Sequence, residues 1–419
     1  MPFSTATHRM MTATQWAPEE PAYRITDTLW TSPATTDSHM ATTPDGEVVI
    51  NTGFAYAASR HRERFEEALG RALDVRKIVY TQAYFEQIGG WSAFTGPEVE
   101  TIAHRDHANT LRDQKDLARF FLPRNQQVLH PLMPEDGARA IYTENVDATI
   151  DTTVHDSHIF ELGGRRFELY SVPGGEATDC IAVWVPDERV VFTGNLVGAL
   201  YGAIPNLYTI RGARSRSARL FIQSCQRVLD LEPEIHVTGH DEPIVGADRI
   251  QTELRKVMDA VAYILDQTVA GMNAGKDLWS LMGEIRLPAE LEPAPGRCPV
   301  SWCVRAVWED YAGWARLEST TELYHVPAKS IWADVVELAG GVEPLARRAA
   351  EQLSKGQPLE AVHLTDIALS AEPAHRHSLE VRLAAHELLL SRAGNCFDEL
   401  GYLESEVDRA RKALGVSTA

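Results

Sequence analysis

Short apolar runs, each followed by a turn or a loop, recur along the first two thirds of the chain. They occupy residues 47–50, 76–80, 166–172 and 234–238. Each run has the length and composition of a buried strand. Between the first two, Phe65, Leu69 and Leu73 recur at the spacing of one helix face, which predicts a helix over residues 59–73. The pattern is that of a layered α/β protein.

Residues 181–195 hold two apolar runs separated by Pro186 and Asp187, which predicts a β-hairpin. A helix is expected over residues 217–229, before the last strand. In α/β layer folds, sites lie at the carboxyl ends of strands. The loops that follow these strands, near positions 82, 176, 195 and 240, are therefore expected to meet. Two αβ layers of this kind predict a four-layer αββα sandwich.

Beyond these strands the pattern becomes helical, from about residue 345 onward. Residues 356–373 have the apolar spacing of a tetratricopeptide-like helix pair, and one such unit is too short for a solenoid, so packing or dimerisation is the better interpretation. We predict a polar N-terminal arm over residues 1–25, the αββα domain over 26–270, a connecting region over 271–335 and a helical dimerisation domain over 336–419.

Composition and charge restrict the partners and the cellular location that we expect. The chain has 419 residues, 44% of them apolar and 24% charged, which is typical of a globular protein. Its formal net charge of -19 argues against nucleic acid or an anionic membrane surface as a partner. The cysteines are odd in number and scattered, so a disulfide framework is not expected. The N-terminal residues contain no apolar stretch of signal-peptide length, and we predict a cytoplasmic protein with no membrane span.

The loop over residues 81–90 reads T-Q-A-Y-F-E-Q-I-G-G. It follows a predicted buried strand and resembles the T-H-x-H-x-D-H-x-G-G loop of the metallo-β-lactamase superfamily, whose His and Asp side chains bind one or two metal ions. Gln82, Tyr84, Glu86 and Gln87 stand here at the positions of those ligands. The resemblance implies the αββα fold, and it raises the question of whether the active site has been rebuilt or lost.

Further segments resemble the alkylsulfatase branch of that superfamily. Residues 206–213 read N-L-Y-T-I-R-G-A, close to the N-L-Y-T-L-R-G-A of the branch, and residues 303–314 resemble its N-V-R-A-V-Y and Y-x-G-W segments. Residues 336–341 and the helices that follow resemble its dimerisation domain. These segments occur in the order of the family, so the resemblance covers almost the whole chain and implies a homodimer formed through the C-terminal helices.

The resemblance also assigns the metal positions one by one. The first metal would use positions 82, 84 and 176, the second 86, 87 and 240, and a bridging carboxylate position holds Asn195. Only His240 is an unchanged ligand. Because zinc requires His, Cys or carboxylate ligands, we predict that no metal cofactor is needed. If one ion binds, Glu86, Glu176 and His240 would hold it, an oxygen-rich set better suited to Fe(II) or Mn(II).

Two interpretations of the remaining polar residues stay open. Glu86, Glu176 and His240 are expected to lie together and transfer protons, since repulsion and burial would raise the pKa of one carboxylate. Alternatively, Glu86, Gln87 and His240 form a satisfied polar network in a vacated metal site. Tyr84 is either a phenolic acid or an aromatic filler.

The segment over residues 206–213 indicates which kind of ligand binds. In alkylsulfatases, equivalents of Thr209 and Arg211 grip a sulfate group, and a guanidinium matches an oxyanion with two hydrogen bonds. The other candidate substrate-binding residues are Gln82, Gln87, Asn195, Asn206 and Tyr208.

We therefore predict an enzyme that hydrolyses, eliminates or rearranges a small anionic or polar molecule without dinuclear zinc. Its candidate catalytic residues are Glu86, Tyr84, Glu176 and His240. The alternative is a catalytically inactive homologue of alkylsulfatases that binds a ligand or a partner. The presence of Glu86 rather than an apolar residue favours the enzyme, because an abandoned site should not retain a buried charge.

Overall fold

The structure is a computed structural model. It describes residues 20–129, 146, 148–198, 201–207, 209–214, 216–240, 242–294, 299–394 and 396–416. Most of the predicted N-terminal arm, residues 1–19, lies outside the described residues. The chain divides into two compact units, of which the first holds residues 1–126 and 132–310 and the second holds residues 127–131 and 311–419.

The first unit contains two mixed β-sheets. In the described part of the chain, one has seven strands in the order β1-β2-β3-β4-β5-β6-β7 and the other has six in the order β13-β12-β11-β10-β9-β8. The strands are β1 Tyr23–Arg24, β2 Leu29–Ser32, β3 Ser38–Thr43, β4 Gly46–Ile50, β5 Val75–Val79, β6 Glu100–His104, β7 Thr152–Val154, β8 Ser157–Leu162, β9 Arg165–Ser171, β10 Ile181–Val185, β11 Val190–Phe192, β12 Ile235–Val237 and β13 Ile244–Val245. Strands β4 to β7 run parallel, as do β11 and β12.

The helices of this unit cover the outer faces of the sheets. They are α1 Ala58–Leu69, α2 Phe85–Ile88, α3 His107–Asp116, α4 Ala118–Val128, α5 Ala218–Asp230, α6 Ala247–Asn273, α7 Leu278–Glu284 and α8 Val300–Ala312. Helix α1 ends four residues before the predicted boundary because Gly70 adopts φ 66°, a left-handed conformation that terminates the helix.

Three apolar clusters establish the layers. Val48, Val79 and Ile102 of one sheet pack with Phe167 and Val183 of the other, which buries the inner faces against each other. A second cluster joins the outer face of the first sheet to α1 through residues such as Phe65, and a third joins the second sheet to α5 and α6. Alternating strand residues thus face either the central layer or a helix layer. The predicted αββα sandwich is confirmed.

The second unit is helical. Its helices are α9 Trp332–Leu338, α10 Val342–Ser354, α11 Pro358–Ala371, α12 Arg376–Arg392 and α13 Phe397–Leu414. The predicted helix pair within residues 356–373 is wrong in one respect, because these residues form a single helix, α11. No helix breaker lies between its first residue, Pro358, and Pro373 beyond its end. Helix α11 packs instead with α10 and α12, through Ala349, Ala361 and Val381.

The segment that opens this unit exposes large apolar side chains. Trp314 is 75% exposed, Leu317 85% and Leu338 87%. Isolated exposed apolar residues are ordinary, but several within 25 residues of one segment are typical of a surface that another protein covers. Among the helices that the structure describes, each is too short or too polar to cross a lipid bilayer.

Candidate functional site

The loop over residues 81–90 is fixed by hydrogen bonds from three directions. The Thr81 backbone N–H donates to Asn51 Oδ1 at 2.9 Å, and the Ala83 N–H donates to Asp179 Oδ2 at 2.7 Å. The Thr52 N–H donates to the carbonyl oxygen of Gln87 at 2.7 Å. A Cβ atom on Gly90 would lie 2.2 Å from Thr52 O, so the glycine permits this close approach. The retained G-G thus has a structural reason.

Glu86 and His240 form one polar group at this loop. Gln87 Nε2 donates to Glu86 Oε1 at 2.9 Å, and the Asn195 amide donates to the same oxygen. His240 Nε2 lies 3.6 Å from that oxygen, an ionic contact longer than a hydrogen bond. His240 Nδ1 donates to Thr35 O at 2.7 Å, which fixes the ring. We call Glu86, Gln87, Asn195 and His240 the Glu86 group.

The two charges of the Glu86 group hold each other in the ionised state. Burial alone would raise the pKa of Glu86, but the His240 imidazolium outweighs burial and lowers it, and the Arg211 charge contributes in the same direction. For His240, burial opposes the charged form, yet the Glu86 carboxylate raises its pKa. The expectation of a raised carboxylate pKa is therefore wrong for Glu86, because its neighbour is a cation rather than a second carboxylate.

Glu176 belongs to a second group. Gln82 Nε2 donates to Glu176 Oε2 at 3.1 Å, and Cys180 Sγ lies 3.6 Å from Gln82 Oε1. The Tyr84 hydroxyl donates to the Glu176 carbonyl oxygen at 3.0 Å, and burial raises the pKa of the phenol. Arg216 Nη2 lies 4.0 Å from Glu176 Oε1. We call Gln82, Tyr84, Glu176 and Arg216 the Glu176 group.

The prediction that Glu86, Glu176 and His240 act as one set stays a prediction. Glu86 pairs with His240, whereas Glu176 bonds to Gln82 and faces Arg216. Among the described residues, no three His, Cys, Asp or Glu side chains are placed to share a metal ion. Gln82 is hydrogen-bonded through both amide atoms and Tyr84 is a protonated donor, so these positions do not fit the zinc sites that the resemblance implies.

Two described residues of the 206–213 segment act on the two groups: Asn206 bonds to Arg216, and the Arg211 charge lowers the pKa of Glu86. The Arg211 guanidinium donates to Asn125 Oδ1 at 3.2 Å, and its backbone N–H lies 3.3 Å from Thr209 Oγ1. Asn206 is buried, and its carbonyl oxygen accepts from Arg216 Nη1 at 2.5 Å. Tyr208, a predicted substrate-binding residue, lies outside the described residues.

A cavity of about 440 Å³ opens beside the Glu176 group. Its polar lining includes Tyr84, Glu176 and Arg216, together with Asp113 and Arg214. Its apolar lining includes Leu117, Phe120, Phe121 and Leu220. A cavity with an apolar wall and convergent polar groups is typical of a small-molecule site.

Sequence reasoning missed two residues of this region. Arg216 lies five positions after Arg211 in the same loop, and the third arginine of R-G-A-R-S-R was a readable signal. Asp179 stands next to a metal-ligand position that the resemblance places at Cys180, but its burial gave no signal in the sequence. It is fully buried, and burial raises its pKa to about 7 against the hydrogen bond from Ala83.

Comparison with known proteins gives the family. Residues 282–408 match the family described as alkyl sulfatase dimerisation. The linear primary-alkylsulfatase of Pseudomonas sp. (strain ATCC 19151) is 24% identical over 409 residues, covering 90% of this chain and 74% of that protein. The alkyl/aryl-sulfatase BDS1 of Saccharomyces cerevisiae is 22% identical, covering 88% of this chain and 60% of its own length.

A solved structure agrees in fold. The stereoselective inverting sec-alkylsulfatase Pisa1 from Pseudomonas sp. superposes with a TM-score of 0.80 at 20% identity, covering 95% of this chain and 66% of that one. The two mixed sheets and their helix layers define a metallo-β-lactamase-like protein. The chain is similar to alkylsulfatases over most of its length, its residues 282–408 match the alkyl sulfatase dimerisation family, and its fold is metallo-β-lactamase-like. It spans less than two thirds of BDS1 and of Pisa1.

Proposed function

We propose that this chain is an enzyme that hydrolyses, eliminates or rearranges a small anionic molecule with an apolar portion, and that it does so without dinuclear zinc. The names of its relatives indicate alkyl sulfate esters as the first substrate class to test. One observation carries the proposal: the cavity lining combines apolar side chains with an arginine, a carboxylate and a phenol.

The chemistry of the cavity suits such a substrate. Phe120, Phe121 and Leu220 would cover the apolar portion, which gains about 0.8 kcal/mol for each buried methylene. Arg216, which lines the cavity, and Arg211, which precedes the lining residue Gly212, would hold the anionic group. Glu176 would accept a proton from water or from the substrate, and the Tyr84 hydroxyl would donate one to the leaving oxygen.

The Glu86 group has a different role in this proposal. Its carboxylate and imidazolium are held in their charged forms, so neither exchanges a proton easily near neutral pH. They act as fixed charges. Gln87 Oε1 and Asn195 Oδ1 are buried, and neither has a hydrogen-bond partner among the described residues. Such atoms would accept hydrogen bonds from a bound water or a polar substrate group.

The alternative is a catalytically inactive ligand-binding homologue, and one observation favours it. Gln82 is hydrogen-bonded at both ends of its amide, to Glu176 and to Cys180, which is the arrangement of a satisfied polar network. In that case the cavity would bind the same anion without turnover.

Measurements of binding and of turnover distinguish the enzyme from the inactive homologue. We would measure calorimetric affinity and anion release with alkyl sulfates and alkyl carboxylates of increasing chain length, in a chelator-containing buffer. Wild type should bind more tightly as the chain lengthens. Arg211→Ala should lose about 2–5 kcal/mol, roughly 30- to 4000-fold, and Arg211→Lys should recover part of it. Arg227→Ala, which removes a surface cation paired with Asp156, is the control.

Turnover that disappears in Glu176→Gln while binding persists would support the enzyme. Binding without turnover in wild type would support the inactive homologue. Absence of binding to either anion class, or unchanged affinity in Arg211→Ala, would refute the anionic substrate.

We also propose a homodimer. The dimerisation match over residues 282–408 and the exposed Trp314, Leu317 and Leu338 support it, because a partner copy would cover these side chains.

A further inference from the structure

The positions that would hold two metal ions in this superfamily each contain one carboxylate, Glu176 in the first and Glu86 in the second. A carboxylate buried without a compensating charge is costly. In metal-binding relatives the ions would supply that charge, so a chain with a different donor set needs another source of positive charge at both positions.

Each carboxylate has a nitrogen of a basic side chain within 4.0 Å. Arg216 Nη2 lies 4.0 Å from Glu176 Oε1, and its side chain is 5% exposed. His240 Nε2 lies 3.6 Å from Glu86 Oε1, and its side chain is 4% exposed. Both cations are also oriented by backbone carbonyl oxygens, Asn206 O for Arg216 at 2.5 Å and Thr35 O for His240 at 2.7 Å.

Neutral amides complete the two groups in the same way. Gln82 donates to Glu176, and Gln87 and Asn195 donate to Glu86. Each group thus has a carboxylate, a cation held in place by a backbone carbonyl, and at least one amide donor. Two groups of similar composition thus lie at the two positions that the resemblance assigns to metal ions.

We propose that Arg216 replaces the positive charge of the first metal ion, so that the chain balances Glu176 with its own side chain. A guanidinium stays charged at any pH the fold experiences. This inference rests on the proposed zinc-independent function, but its test needs no substrate, so either proposal can fail without the other.

The test is the thermal stability of the full chain near pH 7, with chelator and with added Zn²⁺, for wild type and four variants. The variants are Arg216→Gln, Glu176→Gln, the double variant and Arg214→Gln. Arg214 also borders the cavity, but its side chain is 69% exposed and pairs with Asp113. It therefore controls for the loss of a cation two residues away.

We expect neither chelator nor Zn²⁺ to shift the wild-type Tm. Arg216→Gln should lower Tm by about 5–10 °C, because it leaves a buried carboxylate unpaired. Arg214→Gln should have little effect. The double variant should recover at least half of the loss, since the two single effects are coupled.

Three results would overturn the inference. These are a wild-type Tm that falls in chelator, a Tm change in Arg216→Gln no larger than that in Arg214→Gln, and a Tm change in the double variant equal to the sum of the changes in Arg216→Gln and Glu176→Gln. Should Arg216→Gln fail to fold, folding of the double variant would support the charge balance, and failure of both would contradict it.

Discussion

Replacing Glu86 with glutamine tests the electrostatics of the Glu86 group. The substitution keeps the side-chain shape and an oxygen that accepts from Gln87 and Asn195, but it removes the charge that faces His240. At the 3.6 Å separation of Glu86 and His240, and with an effective dielectric constant of about 20, the attraction is about 4–5 kcal/mol.

The expected loss of stability is smaller than this attraction. The variant no longer has to desolvate a carboxylate, and Glu86 is 24% exposed, so solvent screens the pair. We therefore expect Glu86→Gln to lower the free energy of unfolding by about 2–3 kcal/mol near pH 6, or Tm by about 4–8 °C.

The pH dependence of the stability difference tests whether the His240 charge causes it. The pKa of His240 is raised from 6.5 to about 9, so its stabilising contribution is complete below pH 6.5 and is lost as pH rises through 9. Urea unfolding followed by circular dichroism from pH 6 to pH 10 should show the difference between wild type and Glu86→Gln shrinking over this range.

Glu98→Gln provides the control, because it removes a carboxylate whose contact with Arg76 is exposed. Its effect should be small at every pH. A Glu86→Gln difference that stays constant from pH 6 to pH 10 would show that the His240 charge does not stabilise the group.

Two further predictions concern other parts of the chain. Glutamate at Trp314 or Leu317 should convert the dimer to a monomer in sedimentation analysis, while Val245→Glu, at a position that is also exposed, should not; a wild-type monomer would contradict the proposed assembly. Asp179→Asn should gain stability relative to wild type between about pH 4 and pH 7 and then level off, because burial raises the pKa of Asp179 from 3.8 to about 7 and ionisation then favours the unfolded state. Urea midpoints that run in parallel across this range would refute the second prediction.

The sequence by itself determined the layers and the site region. Apolar runs and their turns predicted the strands, and strand ends in α/β layers converge, so the loops at Gln82, Glu176, Asn195 and His240 were expected to meet. The T-x₇-G-G frame of residues 81–90 and the N-L-Y-T-I-R-G-A segment indicated the family, because backbone geometry preserves glycines and turns even where ligands change.

The tertiary structure alone decided which charges pair. Glu86 and Glu176 are both carboxylates in loops that follow predicted strands. The structure shows that Glu86 faces His240, whereas Glu176 faces Arg216. Pairing depends on distances of a few ångströms between side chains far apart in the chain, and a shifted pKa depends on how much water burial removes. Neither quantity can be read from residue spacing, which is why the direction of the Glu86 shift and the burial of Asp179 emerged only from the packed fold.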